Sequence, residues 1–119
     1  MLQNLLIVED NPSMRRLIKS VVEDLAVSIH ECEDGADAFA AYEKHMPEWV
    51  VMDVEMKEKD GITATREIIE THPDAKIIIL TRYDSLLIRK QALKAGASIF
   101  MLKENLLSIR DADLTSTAK

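Results

Sequence analysis

Residues 5–12 read LLIVEDNP: four apolar side chains, two acids, then an Asn-Pro pair. A continuous apolar run of this length suits a strand buried on both faces, which is the habit of parallel sheets. Asn11 is placed to cap a helix, and Pro12 to fill its first position. Met14, Leu17, Ile18, Val21, Val22 and Leu25 follow at helical spacing and predict the inward face of that helix. A strand, an acidic turn and a helix therefore occupy the first 25 residues.

The same pattern recurs along the chain. Further apolar runs stand at 27–32, 49–52, 77–80 and 99–102, and all but the first of these are continuously apolar. In that one Val27 and Ile29 alternate with Ser28 and His30, which predicts a strand at the sheet edge. Helical patterns lie between the runs: one over 35–45, one starting near Asp60 with Ile62, Ile68 and Ile69 inward, and one from a cap at Asp84 to a stop at Gly96. In the last of these Ile88, Ala92 and Leu93 form the expected core face, and Leu86 and Leu87 cannot both point inward. Asn105 is read as the cap of a short final helix carrying Leu106, Leu107 and Ile109, and 115–119 as a fraying end or the start of a linker.

Strands alternating with helices predict an α/β three-layer sandwich around a five-stranded parallel sheet. At 119 residues the chain is expected to be one domain over 1–119. Hydrophobic residues make up 47% and charged residues 30%, and no apolar run approaches the roughly 18 residues of a membrane span, so a cytoplasmic location is expected. A net charge of −6 argues against direct binding of nucleic acid or of a membrane surface. Cys32 is the single cysteine, which excludes an intrachain disulfide and a cysteine metal site.

In doubly wound sheets ligands bind beyond the carboxyl ends of the strands. Those ends carry Glu9 and Asp10, Asp53, Thr81 and Lys103. An acid at any one strand end is more often a turn former or a helix cap, but here four strand ends coincide. Carboxylates within about 4 Å of each other repel by roughly 4 kcal/mol per pair at an effective dielectric near 20, so a divalent cation is the simplest compensation. An all-oxygen set selects a hard ion such as Mg²⁺, with Mn²⁺ as a substitute. A carboxylate beside such an ion and an ammonium is suited to attack a phosphoryl group, roles that fit Asp53 and Lys103.

The ordered set of LLIVEDNP, VVMDVEMKEKDG at 50–61, IIILT ending at Thr81 and KAGASIFMLK ending at Lys103 resembles the receiver domains of two-component response regulators, from about residue 5 to residue 107. The resemblance implies a flavodoxin-like sheet in the order 2-1-3-4-5. It makes Asp53 the phosphoacceptor, fed by a sensor histidine kinase or a phosphotransfer protein, and implies self-directed chemistry rather than a turnover enzyme. Glu9, Asp10, Asp53 and the backbone carbonyl of Glu55 would hold the metal. Thr81 and Lys103 would hold the phosphoryl oxygens, and Thr81 and Phe100 would form the switch that reshapes the fourth helix, fifth strand and fifth helix. Leu86, Leu87 and Leu107 are candidate contacts there. A phosphorylation-dependent homodimer and a DNA-binding output domain outside this chain, hence transcriptional control, are partners the resemblance allows.

Three positions depart from the family pattern. Lys57 and Glu104 stand where proline is frequent, and a trans bond is expected after Lys103. Arg82 stands where a small residue usually lines the route to the aspartate, so Arg82 and Glu55 are expected to control access. His30, His45 and His72 are expected to lie far apart and to form no cluster. Met14, Met52 and Met101 are expected to fill the core, with Trp49 packed at the amino end of the sheet. The alternatives are a pseudo-receiver that only binds partners and a small phosphatase of the haloacid dehalogenase type, for which Asp53-Val54-Glu55 is a faint echo and the chain is short.

Overall fold

The computed structural model describes residues 1–112 and 114. The stretch 115–119 lies outside the described residues. Strands β1 (Leu2–Val8), β2 (Ala26–Cys32), β3 (Trp49–Asp53), β4 (Ile77–Thr81) and β5 (Ile99–Leu102) form one parallel sheet in the order β2-β1-β3-β4-β5. Helices α1 (Pro12–Val22), α2 (Ala38–His45), α3 (Gly61–Thr71) and α4 (Leu86–Ala95) connect them, and a 3₁₀ segment, Lys103–Asp111, follows β5.

The continuous apolar runs are explained by two cores, one on each face of the sheet. Leu6, Val8, Val50, Met52, Ile77 and Ile79 face one core with Ile62, Ile68 and Ala92. Their alternate neighbours Leu5, Ile7, Val51, Ile78 and Leu80 face the other with Ile18, Val22 and Ile109. Each such side chain contributes roughly 1.5–3 kcal/mol on burial, so strands with period-two placement on both sides hold the three layers together.

The expected cap holds at Asn11, whose Oδ1 accepts from the Met14 amide at 2.9 Å, and the helix expected to start near Asp60 is capped by that residue, whose Oδ1 accepts from the Thr63 amide at 2.8 Å. Other details differ from expectation. β1 begins at Leu2, and Asp53 and Thr81 are the last residues of their strands rather than the first of the loops. Ser85, not Asp84, caps α4, because its hydroxyl accepts from the Ile88 amide. Within α4 Ala92 and Ala95 are buried and Leu93 is exposed. Leu17 is likewise exposed on α1. The stretch 35–45 divides into a 3₁₀ turn at Gly35–Asp37 and α2.

The final helix is 3₁₀ and starts at Lys103. Asn105 has non-helical angles inside it, and the buried pair Leu106 and Ile109 is three residues apart, the period of a 3₁₀ helix, leaving Leu107 out. β5 is the second sheet edge, so its residues are only partly buried despite their apolar character. β2 is the other edge, as expected, with Val27 exposed.

The three histidines are not all isolated. His30 and His45 stack with ring centroids 3.6 Å apart, and His72 lies against Tyr42 and Glu43. Trp49 is buried, and its Nε1 donates to the Leu114 carbonyl at 2.8 Å. All described peptide bonds are trans, including the one after Lys103. Cys32 is half-buried on β2, and burial, aided by the charge of Asp37, pushes its thiol up to about 12. Its alkylation by iodoacetamide at pH 8 is therefore expected to be slower than that of a free cysteine by roughly fiftyfold, the loss of thiolate being partly offset by the greater nucleophilicity of a more basic thiolate, as mass spectrometry would read.

Candidate functional site

Strand register brings the site together. Val8 pairs with Met52, Asp53 with Leu80 and Thr81 with Leu102, so the residues at or just beyond these positions share the carboxyl edge of the sheet. Glu9 and Asp53 are buried to 1% and 2% exposure, and Thr81 is fully buried. Lys103 Nζ reaches both carboxylates, 2.8 Å from Asp53 Oδ1 and 3.1 Å from Glu9 Oε1. These contacts are ionic rather than aligned hydrogen bonds, since neither oxygen has a donor in hydrogen-bond geometry. Asp10 is partly exposed, and ligand oxygens of Glu9, Asp10 and Asp53 all lie within 4.8 Å of one another.

One ammonium faces more than one buried carboxylate, and the protonation equilibria show the imbalance. Burial, then the charge of Asp53, push the Glu9 carboxyl up to about 7, against the pull of Lys103 and the Asn11 amide. Burial also raises Asp53, with Lys103 opposing and Asp10 adding to the rise. Burial by itself would lower Lys103, but its contacts with Asp53 and Glu9 outweigh burial and hold the ammonium protonated. Buried oxygens without aligned donors, all of one hard type, fit a doubly charged cation by the chemistry of the donor set.

Glu55 is exposed, yet its Oε2 accepts from the Thr81 hydroxyl at 3.4 Å, and Thr81 Oγ1 in turn accepts from the Tyr83 amide at 3.2 Å. Burial and the charge of Asp53 raise the Glu55 carboxyl, with Lys103, Thr81 and Arg82 opposing. Arg82 is exposed beside it. Phe100 is half-buried on β5, with the Arg89 guanidinium 5.5 Å from its ring centroid. β4 stands between Phe100 and the strand that ends in Asp53, so Phe100 is not among the carboxylates.

Two contributors were not visible beforehand. Arg15 Nη1 donates to the Glu9 carbonyl at 2.8 Å while its Nε sits 3.2 Å from Glu31 Oε1, which fixes the first acidic turn to β2. Asp34 reaches across to the loop after β3. Arg15 stood in the sequence as one more charge on the outer face of α1, and its target carbonyl carries no signal in the residue pattern.

A doubly wound α/β domain with acids and a lysine gathered at the carboxyl edge of its sheet is a receiver-type domain. The chain belongs to the response regulator receiver domain family, whose model matches residues 5–112. It is 38% identical over 104 residues to the chemotaxis protein CheY of Bacillus subtilis, covering 87% of each chain. It is 32% identical to the transcriptional regulatory protein DegU of Brevibacillus brevis, covering 84% of this chain and 43% of that one. A crystal structure of a two-component response regulator of the LuxR family from Aurantimonas sp. superimposes with a TM-score of 0.86 at 26% identity, over 97% of this chain and 86% of the other. A CheY-like receiver domain from Methanospirillum hungatei shares the fold, with a TM-score of 0.83 at 21% identity.

Proposed function

We propose that this chain is a phosphorylation switch in which Asp53 accepts a phosphoryl group from a phosphohistidine of a sensor kinase or phosphotransfer protein. The observation that carries this is the buried Glu9–Asp53–Lys103 contact with Asp10 alongside. Glu9, Asp10, Asp53 and the Glu55 backbone carbonyl would hold Mg²⁺, or Mn²⁺ in its place. When bound, the ion neutralises charge on the oxygens of the group being transferred. An Asp53 carboxylate oxygen attacks phosphorus, the new P–O bond forms as the P–N bond breaks, and imidazole leaves with the bonding pair.

Lys103, held protonated at 2.8 Å from Asp53, stabilises charge that develops there. The Thr81 hydroxyl exchanges Glu55 for a phosphoryl oxygen, and Phe100 follows it inward. To move the domain from mostly off to mostly on, contacts made only in the active form must supply about 5.5 kcal/mol of difference. The surface that changes carries Leu86, Leu87 and Leu107, each at least 65% exposed, which suits a phosphorylation-dependent homodimer or contact with an output domain. We read residues 1–119 as one domain acting in the cytoplasm, with transcriptional control through a DNA-binding partner domain as in the regulators it resembles.

The test is amide NMR with a beryllium fluoride phosphate mimic and Mg²⁺. Shifts at Thr81, Phe100 and Lys103 that need both the metal and Asp53 are expected, and their absence in native protein would sink the proposal. Arg82 beside Glu55 is read as a gate. Arg82→Ala should speed labelling by acetyl phosphate about threefold and shorten the acyl-phosphate lifetime by a similar factor, equivalent to about 0.7 kcal/mol in each barrier. Unchanged rates would remove the gate.

A further inference from the structure

Asp34 lies in the turn after β2, between the exposed Glu33 and the buried Gly35, and is itself only 7% exposed. Oδ1 accepts from the Ala36 amide at 2.9 Å and from the Lys59 amide at 3.0 Å, and Oδ2 accepts from the Glu58 amide at 3.1 Å. The first of these caps the local 3₁₀ turn. The other two cross to a loop 24 and 25 residues away, which capping does not require. Burial raises the Asp34 carboxyl, but the amides of Ala36, Glu58, Lys59 and Lys57 outweigh it and hold it below its ordinary value.

The loop reached in this way, residues 55–60, starts two residues after Asp53 and includes Glu55. Its far end is tied separately. Lys59 Nζ bonds both Glu67 carboxylate oxygens at 2.8 and 2.9 Å, and the Gly61 amide donates to the Val54 carbonyl at 2.9 Å. Gly35 makes the approach of the two loops feasible, since a Cβ there would lie 2.2 Å from the Lys59 carbonyl oxygen. No side chain of the loop needs Asp34 for its own solvation, because Lys57 and Glu58 are exposed. The carboxylate therefore serves the course of the backbone.

We propose that Asp34 is a positioning residue for the cation site: by holding the 57–59 backbone it fixes where the loop presents the Glu55 carbonyl to the Glu9, Asp10 and Asp53 cluster. This rests on the cation role proposed above. Groups that orient metal ligands typically change metal affinity about tenfold or more when removed. Asp34→Ala should weaken Mg²⁺ binding about tenfold. Asp34→Asn should weaken it at least threefold, because an amide NH₂ then opposes a backbone amide donor.

The experiment titrates the full chain with Mg²⁺, following the Asp10 and Asp53 amides by NMR, and records hydrogen exchange at Glu58 and Lys59 and thermal midpoints. Arg110→Ala is the comparison variant, since Arg110 ties the Val21 carbonyl and Asp24, outside both loops. Expected are weakened binding and faster exchange in both Asp34 variants, with native affinity in Arg110→Ala. Affinity within twofold of native in Asp34→Asn, or equal weakening in Arg110→Ala, overturns the positioning role while leaving the cation site standing. Failure of the native chain to bind Mg²⁺ overturns the cation reading and the role of Asp34 with it.

Discussion

Asp53→Asn should abolish incorporation of phosphoryl label from acetyl phosphate or a phosphorylated kinase, by at least a hundredfold in initial rate. A neutral carboxamide is a far weaker nucleophile than a carboxylate and cannot yield the acyl phosphate, whose alkaline lability identifies it. Lys103 and Glu9 would remain in contact, so the fold should persist. A second effect follows from the charges. Glu9 titrates at about 7 in the folded protein against an ordinary 4.5, partly because of Asp53. Between those values the folded chain binds more protons than the unfolded chain, so in chelator-treated buffer stability falls as pH rises through that window. Removing the Asp53 charge lowers the folded pKa of Glu9 and narrows the window. Thermal midpoints between pH 4.5 and 7.5 should therefore fall less steeply for the variant than for the native chain. The substitution also removes the raised Asp53 carboxyl itself, which acts in the same direction, so equal slopes would show that neither the Asp53 carboxyl nor its charge on Glu9 contributes to the pH dependence.

The fold was legible because its signal is redundant. Runs such as 5–8 and 77–80 are apolar at every position, and only a strand covered on both faces explains that in segments too short for a buried helix. The gathering of the candidate site residues was legible for a related reason: each stands at a strand end, and parallel strands bring their carboxyl ends to one edge. What escaped depends on phase or on distant partners. Leu93 is exposed while Ala92 and Ala95 are buried, because α4 presents the Ile88, Ala92 and Ala95 stripe to the sheet, and small alanines beside a leucine give the spacing no sign of which stripe that is. The His30 and His45 stack pairs β2 with the end of α2, and nothing local in either segment announces it.

Gly61→Ala should be more damaging than its position at a helix start suggests. A Cβ at 61 would lie 1.8 Å from the Asp53 carbonyl oxygen, 2.8 Å from the Asp53 carbonyl carbon and 2.9 Å from Met52 Cγ. The first distance is impossible, so backbone must move. The φ angle of Gly61 is not positive, which means that space rather than dihedral freedom demands glycine here. Either α3 retreats and stretches the Gly61–Val54 hydrogen bond, or β3 shifts at Asp53 itself. Overpacking of this kind costs about 3 kcal/mol, readable as a lowered urea midpoint. A displacement near 1 Å at the nucleophile should also slow labelling roughly a hundredfold. Gly96→Ala separates the two effects. Gly96 has a φ of 111° at the end of α4, and the atoms nearest to a Cβ there belong to the Ile69 side chain, so substitution strains a cap away from the carboxylates. It should lower stability while leaving the labelling rate near native. If Gly61→Ala lost stability but labelled at the native rate, the close approach of α3 would be a packing feature alone, with no part in placing Asp53.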